Sequence, residues 1–338
     1  MATPDVTRHE TSDGIVFYRL PVEVFDGFYG NVYLLIGGDA PILIDCGSGQ
    51  ASSNRDLERG FAAIRERFGE AVSLDDVATV IVTHGHIDHI GGLRFVRERS
   101  RADLRVGVHV LDRRILTHWT ERLAVASRQV AHFLEGVGLA AERQAQYLEI
   151  YRGAKELYRS QPVDFAFEEG EISGSGLEAI HVPGHCSGLV CLRAGDVLLT
   201  ADHVLDAISP HLSPEAITPW TGVGHYFESL KKVEKLEGVR VGLGGHGGPI
   251  GDVAGRCAEI RRLHLERQDQ ILDFCAEPRT VAEISRQVFG PVKSYHIVLA
   301  ILETGAQVEY LYQRGELVAA NVEEIESRRS PVVRYVRV

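Results

Sequence analysis

"DVATVIVTHGHIDHIGG" (residues 76–92) decides how this chain is read. From Val77 to Val82 it is almost continuously apolar and rich in β-branched residues, as in a strand buried on both faces. It then packs His84, His86, Asp88 and His89 into six positions. Where a chain stays extended just past a strand, residues i and i+2 point to one side. His84 and His86 are therefore placed to hold one metal together. Asp88 and His89 fall where the chain must turn into the next helix, so they face elsewhere and can seed a second metal. Four donors from one loop leave both ions short of ligands. Further donors are sought where other apolar strands run out, since strand ends at one sheet edge are where α/β proteins place their sites. His185 follows "LEAIHVPG", Asp202 follows "DVLLTA" and His246 follows "VRVGLGG".

These seven residues, in this order, resemble the signature of the metallo-β-lactamase superfamily: H-x-H-x-D-H, then a later His, Asp and His. The resemblance covers roughly residues 15–250, with 111–160 as an insertion. It implies an α/β fold, a four-layer αβ/βα sandwich in which two mixed sheets lie between helices. It also implies a division of ligands: His84, His86 and His185 for one metal, Asp88, His89 and His246 for the other, and Asp202 bridging. Asp45, in "LIDCGSG", matches the family's aspartate after an early strand, which supports a ligand without being one. The chemistry implied is metal-assisted hydrolysis by a metal-bridging hydroxide, with Asp88 and Asp202 as catalytic groups orienting the nucleophile. The donors are nitrogen and oxygen only, which suits two Zn2+ ions, with iron or manganese as alternatives. A small ester, thioester or lactone is the expected substrate. Within the same fold the rivals are a single-stranded RNA-cleaving nuclease and a mononuclear iron persulfide dioxygenase.

The rest of the chain is consistent with an enzyme domain. Its 338 residues are 44% hydrophobic, enough for a large core in one or two domains. The net charge of −11 counts against a nucleic-acid partner. Five cysteines without a C-x-x-C pair read as free thiols in a reducing compartment. With a polar start and no run of ~20 apolar residues, the expectation is a cytoplasmic protein with no membrane partner.

Leu57, Phe61, Ile64 and Phe68 mark an amphipathic helix ending at Gly69. Gly37 to Ala40 read as a turn between two strands. In the 111–160 insertion, Leu116, Trp119, Leu123, Ala126, Val130 and Phe133 form one helical stripe. Tyr147, Tyr151, Ala154 and Tyr158 form a second, after a break at Gly136 to Gly138. The domain division expected is 1–255 for the catalytic domain, insertion included, and 256–338 for a helical, winged-helix-like domain. Thr280 and Glu283 stand there at capping-box spacing, and the tail reads as two strands. The mixed charges of this C-terminal region favour packing or formation of a homodimer over DNA binding. Trp220, His225 and Tyr226 are candidates to line the substrate pocket. "GHCSG" (184–188) has the outline of a nucleophile elbow around Cys186 but lacks its Asp and His partners. "GLGGHGG" (242–248) lacks the Lys-Ser/Thr of a phosphate loop; its glycines are expected to let the backbone turn so that His246 faces the metals.

Overall fold

The computed structural model describes residues 4–38, 40–101, 103–153, 155–156 and 158–338. Asp39 of the expected turn and Ala154 of the second stripe lie outside the described residues. The chain forms two compact units. One comprises Met1–Trp119, Tyr158–Pro210 and Ser229–Cys257; the other comprises Thr120–Leu157, His211–Glu228 and Ala258–Val338.

The first unit holds two mixed sheets. Seven strands follow one another in chain order across the larger: β1 Thr7–Glu10, β2 Val16–Phe25, β3 Phe28–Ile36, β4 Ile42–Ile44, β5 Thr79–Val82, β6 Arg105–His109 and β7 Phe165–Phe167. β1 to β4 pair antiparallel and β4 to β7 parallel. The smaller sheet comprises β8 Gly170–Ile172, β9 Leu177–His181, β10 Val190–Ala194, β11 Val197–Ala201, β12 Val241–Gly244 and β13 Pro249–Ile250. Its spatial order is β13-β12-β11-β10-β9-β8. Only β11 and β12 pair parallel there.

Side chains alternate across a strand, so each apolar strand feeds two cores at once. From the larger sheet, Leu20, Val32, Leu34, Leu43, Val80, Val82 and Val106 face one way. There they meet Leu57, Phe61 and Ile64 of the helix Ala51–Phe68, and Leu93 and Val96 of the helix Leu93–Arg99. Their neighbours Phe17, Tyr33, Leu35, Ile42, Ile44 and Ile81 face the other way and meet Leu177, Val190, Leu192, Leu199 and Leu243 of the smaller sheet. The outer face of that sheet is covered from two sides. Ser229 Oγ donates to the Pro183 carbonyl at 2.7 Å, and Val253 packs where a Gly242 side chain would stand. Helix, sheet, sheet and helix follow in the expected order. Truncating Phe61, which is 1% exposed, is expected to cost about 3–5 kcal/mol; chemical denaturation of Phe61→Ala against wild type measures it.

In the second unit the helices Trp119–Gly136 and Ala141–Gly153 contribute Val130, Leu134, Tyr147 and Tyr151 to one core with Ile271, Ile284, Ile301 and Leu311. The last four come from the helices Val253–Phe274, Val281–Phe289 and His296–Gln313. The expected stripe from Leu116 to Phe133 is thus not one surface. The helix Arg113–Thr117 ends at His118, and Leu116 and Trp119 belong to the first unit's core. The Thr280–Glu283 capping box is present: Glu283 N donates to Thr280 Oγ1 at 3.3 Å, and Thr280 N donates to the Glu283 carboxylate at 2.8 Å. The two tail strands, β14 Leu317–Ala319 and β15 Tyr335–Arg337, pair antiparallel. A short helix, Val322–Ser327, intervenes, so they are not joined by a tight turn. All five cysteines are buried and none is in a disulfide. Among the described residues no helix is long and apolar enough to cross a membrane.

Candidate metal centre

Every predicted donor, and the supporting Asp45, stands past the C-terminal end of a strand. Asp45 follows β4; His84, His86, Asp88 and His89 follow β5; His185 follows β9, Asp202 follows β11 and His246 follows β12. Two of these turns are held in backbone conformations that side chains rarely adopt, with φ of 60° at Asp45 and 46° at Ala201. The register also shifts between Leu199 and Ala201. Such an irregularity re-aims the side chain that follows, here Asp202, and strain of this kind concentrates at functional sites.

All seven donors come together. His84, His86 and His185 form one group whose ligand atoms lie within 4.8 Å of one another; Asp88, His89 and His246 form a second, and His84, His89 and Asp202 a third. Nε2 of His84 and Nδ1 of His86 are 3.1 Å apart. Asp202 stands among the rest. Its Oδ2 is 3.9 Å from His84 Nε2, 3.6 Å from His185 Nε2 and 3.4 Å from His246 Nε2, while its Oδ1 is 3.5 Å from His89 Nε2. Asp88 Oδ2 lies 3.4 Å from His246 Nε2 and 4.0 Å from His89 Nε2.

The imidazoles are aimed from behind. Asp45 accepts from Thr83 N at 2.8 Å, from Thr83 Oγ1 at 2.7 Å and from His89 Nδ1 at 2.7 Å. His246 Nδ1 donates to the Tyr29 carbonyl at 2.8 Å. In both rings Nδ1 is thereby engaged and Nε2 presented to the cluster, the arrangement found behind metal-binding histidines. Sequence reasoning picked out Asp45 but not Thr83 or the Tyr29 carbonyl. A backbone acceptor has no residue signature to find. Asp45→Asn keeps the shape and tolerates the positive φ, but loses the charge opposite His89. Loss of such a partner costs about 10–100-fold in metal affinity. A cobalt(II) titration of the metal-stripped variant is expected to show that loss in one of two binding steps.

The cluster suits cations. His89 Nε2 and Asp202 Oδ1 are buried and make no hydrogen bond among the described residues, and buried polar atoms are rarely left so. Burial alone would lower the pKa of His89, but Asp202, Asp45 and Asp88 outweigh it and hold it well above the usual imidazole value. Burial also opposes the charge on His246, yet Asp202 and Asp88 raise it to about 10. Burial would raise Asp88, and His89 and His246 bring it down instead to about 2. The carboxylates thus demand positive charge in the cluster, and divalent cations satisfy that demand by displacing protons from the imidazoles. Gly245 adds a steric requirement: a side chain there would collide with Asp202 Oδ1 and His89. Its lack of a side chain, more than a turn, brings β12 close enough to deliver His246.

The remaining sequence candidates for the pocket belong to the second unit. Trp220 is half exposed, with its ring 5.3 Å from that of His225, which pairs with Glu215 at 2.8 Å. Tyr226 is fully buried, its ring 5.6 Å from that of His264. Burial and the nearby Asp112 carboxylate push the Cys186 thiol well above the usual range, the opposite of an activated thiolate.

Comparison with known proteins agrees with this geometry. Residues 25–246 match the family model described as the Metallo-beta-lactamase superfamily. The probable metallo-hydrolase YqjP of Bacillus subtilis is 24% identical over 317 residues, which cover 89% of this chain and 93% of that protein. A protein of Aspergillus chevalieri named atrochrysone carboxyl ACP thioesterase is 24% identical over 275 residues, covering 78% and 68% of the two chains. A solved metallo-beta-lactamase family protein of Thermus thermophilus superposes with a TM-score of 0.75 at 26% identity, over 95% of this chain and 98% of that one.

Proposed function

The chain belongs to the metallo-beta-lactamase superfamily, and from that premise we propose that it hydrolyses a small acyl thioester, with esters and lactones as the neighbouring substrate classes. It is a metal-dependent hydrolase. Thioesters come first because its Aspergillus relatives carry the name of a thioesterase. His84, His86 and His185 would hold one divalent cation, Asp88, His89 and His246 a second, with Asp202 between them. The carrying observation is that Asp202 Oδ2 lies within 4 Å of imidazoles from both groups. Zinc is the metal proposed, on the nitrogen and oxygen donor set and on its use in hydrolytic sites.

When bound, such cations supply a Lewis acid for the acyl oxygen and lower the pKa of water from ~15.7 toward ~7. The chain's own side chains do the rest. Asp88 and Asp202, both held below the ordinary carboxylate range against the opposing effect of burial, stay ionised at neutral pH. Their oxygens can then accept a hydrogen bond from a water and fix its direction of attack. Asp45 and the Tyr29 carbonyl keep the rings of His89 and His246 from turning. No Ser or Cys nucleophile takes part.

The second triad, Asp88–His89–His246, favours this reading over a one-iron dioxygenase, since it is as well formed as the first. The test is a panel of short acyl thioesters, esters and lactones given to the full-length protein, with and without chelator. Thioester hydrolysis that chelator abolishes is expected. Cleavage of single-stranded RNA, or oxygen uptake with a persulfide, in place of any acyl hydrolysis would overturn it.

A further inference from the structure

Asp112 follows β6 and is fully buried. It stands at the N-cap position of the helix Arg113–Thr117, yet its side chain makes no capping hydrogen bond. The usual reason for an aspartate there is therefore missing. Its two oxygens reach instead to two separate loops. Oδ2 accepts from Gly85 N at 2.7 Å and from the Cys186 thiol at 3.3 Å; Oδ1 accepts from Gly188 N at 2.9 Å. Gly85 lies between His84 and His86, and Cys186 and Gly188 come just after His185. One buried carboxylate thus ties together the two backbone stretches that carry the whole of the first triad. The second triad is braced by other groups: His89 by Asp45, which also reaches His84 through the Thr83 hydroxyl, and His246 by the Tyr29 carbonyl.

We infer that Asp112 is a positioning residue that sets the spacing of His84, His86 and His185 as a single ligand face, and that its loss weakens the cation held there while sparing the cation at Asp88, His89 and His246. This rests on the two-cation reading above. Hydrogen bonds from N–H groups to a carboxylate are among the stronger ones, and a buried N–H left without its acceptor is costly. In Asp112→Asn a donor NH2 must face one of the two glycine amides, so one loop is released. Gly188 offers an approach from the opposite side. A Cβ there would stand 2.6 Å from Asp112 Cγ and 2.7 Å from Oδ1, so Gly188→Ala displaces the carboxylate while leaving its chemistry intact.

The test uses the full-length protein, stripped of metal and titrated with cobalt(II). Uptake is followed by visible absorption and by elemental analysis after dialysis, for wild type, Asp112→Asn, Gly188→Ala and Asp45→Asn. Two binding steps are expected in wild type. In Asp112→Asn and Gly188→Ala one step weakens by about 10–100-fold and the other is unchanged, while Asp45→Asn weakens the step those two variants leave alone, whatever it also does to His84 through Thr83. A purely structural role would loosen both steps together in Asp112→Asn, and that result, or two unchanged steps, overturns the inference. If Asp112→Asn does not fold, Gly188→Ala decides by the same criterion. A wild-type protein that takes up fewer than two cobalt ions brings down the two-cation reading itself, and the wild-type titration alone reveals it.

Discussion

Asp202→Asn is expected to lower kcat/KM for acyl hydrolysis by about 1,000-fold, the upper end of what removal of one preorganised electrostatic group costs. Its two oxygens lie within 4 Å of four imidazoles, those of His84, His185, His246 and His89, and so meet both triads. Asparagine preserves volume and one oxygen, so the strained turn after Ala201 and the close approach of Gly245 are kept. What disappears is the negative charge shared between two cation positions and the second acceptor oxygen. The loss should persist at saturating metal, because it falls on orientation and charge at the reacting centre as well as on affinity. Steady-state kinetics on thioester, with zinc added until the rate no longer rises, measures it. A variant within about tenfold of wild type is below what such a group is worth and would remove Asp202 from the centre of the account.

Asp88→Ala has the second largest expected effect, and a different signature. Asp88 approaches the second triad, at 3.4 Å from His246 and 4.0 Å from His89. Its removal leaves His84, His86 and His185 intact as a group. Metal content should fall from about two ions per chain toward one, and hydrolysis by about 100-fold, in keeping with loss of a ligand and an orienting carboxylate. Circular dichroism should not change, since Asp88 lies in the single-turn helix Ile87–Ile90 after β5 and outside the apolar cores. Two tightly bound ions with unchanged turnover in this variant would refute the ligand division.

Much of the site was legible because ligands sit where apolar strands stop, and apolar strands are conspicuous. The run Val80–Val82 gives β5 and the run Leu198–Ala201 gives β11, so the polar residues that follow each are exposed as candidates. The layered sheets were legible only through the family resemblance that the seven donors carry. What escaped notice depends on pairing in space. Asp112 follows β6 as plainly as Asp202 follows β11, but nothing nearby in sequence says that it meets Gly85 and Gly188. The stripe from Leu116 to Phe133 keeps a helical period across a break at His118, so period alone could not divide it between two cores. Nothing beside Tyr226 in the sequence announces its burial. The opening turns of the helix Val223–Glu234 bury it completely, a matter of which face a short amphipathic stretch turns inward.

The proposed hydrolysis needs two cations in one cluster of seven side chains. Elemental analysis of the full-length protein, loaded with zinc and dialysed to equilibrium, tests it most directly. About two zinc ions per chain are expected, falling toward one in Asp88→Ala. One ion or none in the wild type, or a single iron bound in preference to zinc, would contradict it.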